Sequence, residues 1–598
     1  MRSLVLLLVP ACTWDRPPLP GDLPRCEQEV CIDPNFQLHA SFGAKRVDLS
    51  WPRYDDATSY QLLFSNDGET FAPLGEALPA TASMTQVPLS VHLIAWPRAR
   101  YRLLACSGDD CVQSADLAIG DAMLSAIGYV KASNTDSEDH FGFAIAISGD
   151  GTTLAVGARE EDASAEANQS TNDTESSGAV YVFRRSDNVW KQEYYLKAFN
   201  ADAGDHFGSA VALSDDGNTL AVGAPQEDGG SPGVNGTATD NSVGDAGAAY
   251  VFTRAGNSWY WEAYIKPPNP GTEDYFGDAI ALSGDGNTLA IGAKLEDSSS
   301  PGVGGNPNDE TTVGAGAVYM FSRSIQTWEY DAYLKASLPH EGASFGGALA
   351  LSTDGNTLAV GAAGERSGAT GINNEEDDTS KPQAGAVYVF LRTANSWWQH
   401  SYIKASTTDF NDNFGWSVAL SGDGDTLAVG AIGESSKATG IDGDQADDSI
   451  EGAGAVFTFT RNVDGVWSQQ SYLKPSYCGE LYSFGWRVAL SGDGNTLAVA
   501  SRFDGSAALG VGGDATNHDA YDSGSVYAFM RSNGAWSSRA YIKSSNLEAR
   551  DWFGTDLALS ADGGTLAVSA VQEASAATGL GGDQHDNSAQ RAGAVYLY

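Results

Sequence analysis

One carboxylate recurs seven times at a fixed place: Glu161, Glu227, Glu296, Glu365, Glu434, Asp504 and Glu573. Each stands four residues after a glycine, or its counterpart, near the end of a short apolar segment. The stretches that follow add oxygen donors, as in Asp444, Asp447 and Asp448, or Asp583, Asp586 and Asn587. Calcium takes about six to eight oxygen ligands, so cation binding is the chemistry this pattern could support. The other readings are a salt link to a lysine of a neighbouring strand, or a solvated acidic rim. No cofactor is required, and calcium is the candidate.

A second set is aromatic. Trp416, Trp486 and Trp552 sit beside a Phe-Gly pair and break an otherwise regular pattern, which marks them as candidate ligand contacts. Six other tryptophans, Trp190, Trp259, Trp328, Trp397, Trp467 and Trp536, recur at one phase and read as packing. No catalytic residue is assigned. The eight histidines share no phase, and no Gly-x-Ser-x-Gly turn with partners stands out. Scattered carboxylates leave glycoside chemistry open.

These residues are positioned by a repeat. Gly-Ala-Ala-Tyr-Val-Phe at 247–252 returns with little change at 178, 316, 385, 454, 524 and 593, at intervals of 69 or 70 residues. Such spacing marks stacked copies of one supersecondary unit. Within a unit, Phe207 to Leu213 alternates as a strand, and Ser214-Asp215-Asp216-Gly217-Asn218 is a tight turn. Thr219 to Ala224 is a second strand. A loop of 22 residues precedes the third strand at 247–252, and a fourth ends at Ala263-Tyr264-Ile265-Lys266. Four short strands without helical periodicity make a propeller blade.

The Phe-Gly pair occurs seven times, at Phe141, Phe207, Phe276, Phe345, Phe414, Phe484 and Phe553. The fourth-strand lysine also occurs seven times, at Lys131, Lys197, Lys266, Lys335, Lys404, Lys474 and Lys543. The first lysine strand precedes any Phe-Gly strand, and the last segment is a third strand without a fourth. The fold expected for 127–598 is therefore an all-β, seven-bladed β-propeller closed by its N-terminal strand, which removes two exposed sheet edges. In a four-stranded meander the long second-to-third loops share one face, which is the expected binding surface. The short turns with Asp150, Asp216, Asp285, Asp354, Asp423, Asp493 and Asp562 read as Asp-Gly hairpins rather than calcium cages.

Phe207-Gly208 followed by Gly223-Ala224-Pro225 is the FG-GAP signature, and seven such repeats resemble the β-propeller of integrin α subunits and its bacterial relatives. The resemblance implies a surface recognition protein. Before the propeller, Val47 to Trp51, Ser59 to Phe64 and Tyr101 to Cys106 alternate with period two. Residues 34–122 are read as a small β-sandwich that resembles a fibronectin type III domain, with Trp51 as its core tryptophan.

Residues 1–12 read as a signal peptide, and Val9-Pro10-Ala11-Cys12 resembles the lipobox of bacterial lipoproteins, which implies lipidation of Cys12. An ordinary cleavage site is the alternative. Residues 13–33 form a Pro-rich tether. Cys26, Cys31, Cys106 and Cys111 read as disulfide candidates in an exported chain, with pairing within or across the couples left open. Acidic residues outnumber basic ones by 77 to 34, and the net charge of −43 excludes nucleic acid as a partner. The expected protein is a monomer of the cell envelope, an outer-membrane or cell-surface lipoprotein. It touches the membrane through its lipid anchor alone and binds an extracellular protein or glycan. The alternative is a secreted or surface polysaccharide hydrolase or lyase.

Overall fold

The computed structural model describes residues 31–33, 35–164 and 169–598. Cys12, Cys26 and the side chain of Cys31 lie outside what is described. The chain divides into two units that meet in sequence at Ile127 and Gly128.

In the first unit, His39–Gly43, Arg46–Ser50 and Met84–Pro88 form a three-stranded sheet. A second sheet is built around Ser59–Ser65, Arg100–Ser107 and Asp110–Gln113. Alternation decides what is buried: Tyr60 and Leu62 point inward on one strand, Tyr101 and Leu103 on the next. The ring of Trp51 packs at 5.5 Å from that of Tyr60. Cys106 and Cys111 oppose one another across a hairpin and are joined by a disulfide, so this couple pairs internally.

The second unit holds seven four-stranded antiparallel sheets. One of them runs Ala210–Leu213, Thr219–Ala224, Ala248–Ala255 and Ser258–Ile265, each strand pairing with the next. The second strand is buried on both faces along its whole length, because a neighbouring sheet covers each side. The first strands of successive sheets touch in turn, and that of the last touches that of the first, so the unit is a closed ring. Closure is made by the first strand of this unit: Gly128–Val130 pairs antiparallel with Ala594–Leu597. Both edges of the last sheet's interior are thereby satisfied.

At the hairpin end, the first turns of neighbouring sheets are joined by a circle of backbone hydrogen bonds. Asp215 N–H donates to Gly284 O at 2.9 Å, and Gly284, Thr353, Gly422, Gly492 and Ala561 each donate to the next turn, ending on Gly149 O. Asp150 N–H then donates to Asp215 O at 3.1 Å and completes the circle. Within each turn a carboxylate organises the backbone: Asp216 accepts from Ser214 Oγ at 2.7 Å and from Asn218 N–H at 2.9 Å.

Glycine sets the spacing between sheets. Gly247 has φ +81°, and a Cβ there would stand 2.1 Å from Phe276 O in the next sheet. The equivalents Gly178, Gly316, Gly385, Gly454, Gly524 and Gly593 meet the next Phe-Gly phenylalanine in the same way, Gly593 closing onto Phe141. A second contact sets Gly223 against Gly277 O, where a Cβ would lie 2.0 Å away. At two of these positions the chain carries Ala500 and Ser569, and there pairing with the sheet's own first strand skips that residue.

Gly247→Ala should therefore destabilise the protein by roughly 3 kcal/mol or more, since it combines a forbidden contact with positive φ. Gly256→Ala, at φ +66° but with nothing within 4 Å, should cost only about 1 kcal/mol. Urea titration of the two variants checks this, and equal losses would count against backbone contact as the spacing device.

Candidate ligand-binding mouth

The repeated carboxylates lie at the base of the long loops and are almost completely buried. Six of them pair with the lysine that follows the fourth strand. The Nζ-to-carboxylate distance is 3.0 Å for Lys197–Glu161, 2.7 Å for Lys266–Glu227 and 2.8 Å for Lys335–Glu296. It is 2.7 Å for both Lys404–Glu365 and Lys474–Glu434. The lysine belongs to the carboxylate's own sheet, rather than to a neighbouring one. Lys131–Glu573, at 2.8 Å, is the exception in connectivity, because it joins the closing N-terminal strand to the last sheet. A fourth-strand tyrosine often takes the other oxygen, as Tyr264 does with Glu227 at 2.7 Å and Tyr333 with Glu296 at 2.7 Å.

The seventh carboxylate is shorter by one methylene. Asp504 accepts from Ser525 Oγ at 2.8 Å and Tyr541 OH at 3.2 Å, while Lys543 donates instead to Ser523 Oγ at 2.7 Å. Burial without a contact ion pair pushes the Lys543 amine down to about 8. Among the described residues no three or more His, Cys, Asp or Glu side chains are grouped to hold a metal ion. The donors that would face calcium are already engaged by ammonium and phenol groups.

A second acidic series went unread in the sequence, although its signal is regular: an aspartate two residues before Phe-Gly in five units. Asp139, Asp205, Asp274, Asp412 and Asp551 are buried and each accepts a backbone N–H three residues upstream, as from Gly271 to Asp274 at 3.0 Å. Burial pushes Asp205, Asp274 and Asp412 up to about 7, and Asp139 and Asp551 up to about 8. For Asp274 the nearby charge of Glu296 adds to the shift.

At the loop end the ring axis opens as a cavity of about 560 Å³. Its wall includes Phe143, Arg159, Tyr275, Lys294, Trp416 and Arg487, drawn from first strands and second-strand ends around the ring. The three irregular tryptophans converge beside it. Trp416 and Trp486 rings are 5.1 Å apart, Trp486 meets Phe503 at 5.8 Å, and Phe503 meets Trp552 at 6.3 Å. Arg502 lies over Trp486 at 4.4 Å and over Trp552 at 4.1 Å. Arg159 lies over Phe143 at 3.8 Å. The indole N–H groups of Trp416 and Trp552 and Nε of Arg502 are buried without hydrogen-bond partners, whereas Trp486 donates to Thr555 O at 3.1 Å.

Close to this mouth Glu160 accepts from His206 Nε2 at 3.2 Å and lies 3.9 Å from His140 Nδ1. Those two imidazoles hold its carboxyl well below the usual carboxylate range. Arg502 and Phe503 stand at positions that vary from unit to unit, where the fifth unit has Ile432 and Gly433. The six in-phase tryptophans are buried: Trp259, for example, belongs to one core cluster with Val180, Val182 and Leu196 of the preceding sheet. A larger groove of about 790 Å³ lies at the seam of the first and last sheets, lined by Trp190, Gln192 and Leu580. The mouth is the better candidate site, because the irregular tryptophans and Arg502 converge beside it.

Glu296→Gln would leave Lys335 buried without its counter-charge, and should cost about 3–5 kcal/mol. The loss should be the same in calcium and in chelator; an effect that disappears with chelator would make Glu296 a metal ligand. Asp274 has a raised folded-state pKa, so its contribution is fully present below its ordinary 3.8 and fades as pH rises through about 7. Stability of the native chain relative to Asp274→Asn should therefore fall between those pH values, by roughly 2–4 kcal/mol. Denaturant midpoints taken at intervals across that window test it, and a pH-independent difference would refute it.

A family model described as FG-GAP repeat matches residues 128–183, 190–252 and 397–459. Each match runs from a fourth strand, or from the closing strand, to the third strand of the following sheet. Among curated proteins none matches. Among solved structures the chain is similar to the WD40 repeats of RRP9, with 9% identity and a TM-score of 0.37 over 79% of this chain and 96% of that one. It is also similar to the Dos1 propeller, with 10% identity and a TM-score of 0.35 over 79% and 93% of the two chains. The chain thus carries FG-GAP repeats on an all-β propeller.

Proposed function

We propose that this is an exported, lipid-anchored surface protein whose propeller recognises an extracellular glycan or protein, in the manner of integrin α-type propellers. In this reading the N-terminal unit is a fibronectin type III-like spacer, and the protein acts as a monomer held to the envelope by acyl chains on Cys12. The observation that carries the proposal is the convergence of Trp416, Trp486 and Trp552 at the loop-end mouth of the ring. Half-buried aromatic rings, two of them with unpartnered N–H groups, suit a ligand that offers both an apolar face and acceptors. Recognition is favoured over hydrolysis because the described carboxylates at the mouth are each tied to a cation, Asp278 to Lys294 at 2.9 Å and Glu160 to Arg159 at 3.0 Å. Glycoside hydrolysis uses a pair free to flank the scissile bond.

A glycan and surface-protein binding screen with the purified full chain, with and without calcium, should return a ligand whose binding falls at least ~10-fold in Trp416→Ala. If the ligand found binds Trp416→Ala as tightly as the native chain, the mouth is not the site. Cys12→Ser should move the protein from the membrane to the soluble fraction, since several acyl chains anchor firmly where none do not. An unchanged fractionation would end the lipoprotein reading.

A further inference from the structure

We infer that the mouth takes an anionic oligosaccharide, whose carboxylate or sulfate group sits against Arg502 with Arg159 and Arg487 beside it, while a sugar face stacks on Trp416. This rests on the recognition reading above and names its ligand class.

The first ground is charge placement. In a chain of net charge −43, the residue that follows the second strand is basic in three units, Arg159, Lys294 and Arg502, and a fourth cation, Arg487, comes from a first strand. Most of these cations are answered by carboxylates: Arg159 by Glu160 at 3.0 Å, Lys294 by Asp278 at 2.9 Å, and Arg487 by Asp556 at 3.1 Å. Arg502 is not. It makes no ion pair among the described residues; Asp522 acts on it from a longer range, and its Nε is buried without a partner. Burial and the repulsion of Arg487 and Arg159 together lower its pKa to about 10. A guanidinium in that position has aromatic rings against it and no carboxylate in contact.

The second ground is geometry. A guanidinium packed against both Trp486 and Trp552 is restricted before a ligand arrives, and its planar fork matches a carboxylate or sulfate edge. Packing alone would be served by an uncharged side chain, without mutual repulsion among three arginines. The third ground is the wall of the adjoining cavity, where Trp416 and Tyr275 offer ring faces and Gln226, Gln383 and Asn413 offer amides. Amides bind hydroxyls, and ring faces bind the C–H faces of sugars. Its volume of about 560 Å³ lies in the range of small-ligand sites. A protein ligand remains an outcome of the test.

The test is calorimetric titration of the full chain with three oligosaccharides of equal length: an oligogalacturonate, a sulfated neutral oligosaccharide and its unsulfated parent. At least one anionic sugar should bind at least ~10-fold more tightly than the neutral one, and the two anionic arms separate carboxylate from sulfate. Arg502→Gln should weaken that binding by ~10- to 100-fold, the loss of charge-assisted hydrogen bonds, with an unchanged thermal midpoint. If that variant does not fold, Arg487→Gln reports on the same cluster from the rim. Lys437→Gln, an exposed loop residue, is the control and should bind as the native chain does. Binding unaffected by both arginine variants, or equal for neutral and anionic sugars, overturns the inference. If neutral sugars or a protein bind through Trp416 instead, the anion inference fails while the recognition reading stands. If the native chain binds none of these sugars, the inference fails, and the earlier screen decides the recognition reading separately.

Discussion

Backbone meeting backbone between neighbouring sheets is the constraint on which the ring depends. A Cβ at Gly247 or its six equivalents would lie about 2 Å from a carbonyl oxygen of the next sheet, closer than any packed atoms approach. Glycine is needed at every joint because each joint has the same geometry, and the geometry repeats because the ring closes. The residues of the signature are therefore spacers between sheets as much as parts of strands. Their periodicity follows from the seams rather than from any ligand.

Two further devices fix the ends of the ring. At the hairpin end the turns share backbone hydrogen bonds all the way round, so each turn gives one N–H and one C=O to its neighbours. At the loop end buried glutamate–lysine pairs, several joined by a tyrosine, tie six of the long loops to the fourth strand of their own sheet. Such pairs are costly to desolvate and more costly to break, which makes them clamps for the loops rather than sources of net stability. The same kind of pair, Lys131 with Glu573, locks the closing strand.

With both ends held by repeated elements, chemistry is left to positions where the repeat fails. Trp416, Trp486, Trp552, Arg502 and Phe503 are irregular in sequence and adjacent in space. A ring brings equivalent positions of all its sheets to one axis, so a few departures in separate units become a single cluster. Trp416, Trp552 and Arg502 of that cluster carry unpartnered N–H groups, whereas the glutamates and lysines of the clamps are paired.

The sequence by itself determined the repeat, the four strands of each unit, the closing role of the first strand and the identity of the odd tryptophans, because each of these is a matter of period and local alternation. It also marked the glutamates and lysines as phase-locked. It did not determine whether those glutamates face metal or lysine, since Glu227 and Lys266 are 39 residues apart and meet only when the sheet forms. Nor did it reveal Asp274 and its equivalents as buried acids, because a carboxylate beside a turn looks solvated until the neighbouring loop covers it. The meeting of Arg502 with Trp486 and Trp552 was likewise decided by tertiary structure. Strand period is a local property, whereas contact across a ring axis depends on closure, which no single unit encodes.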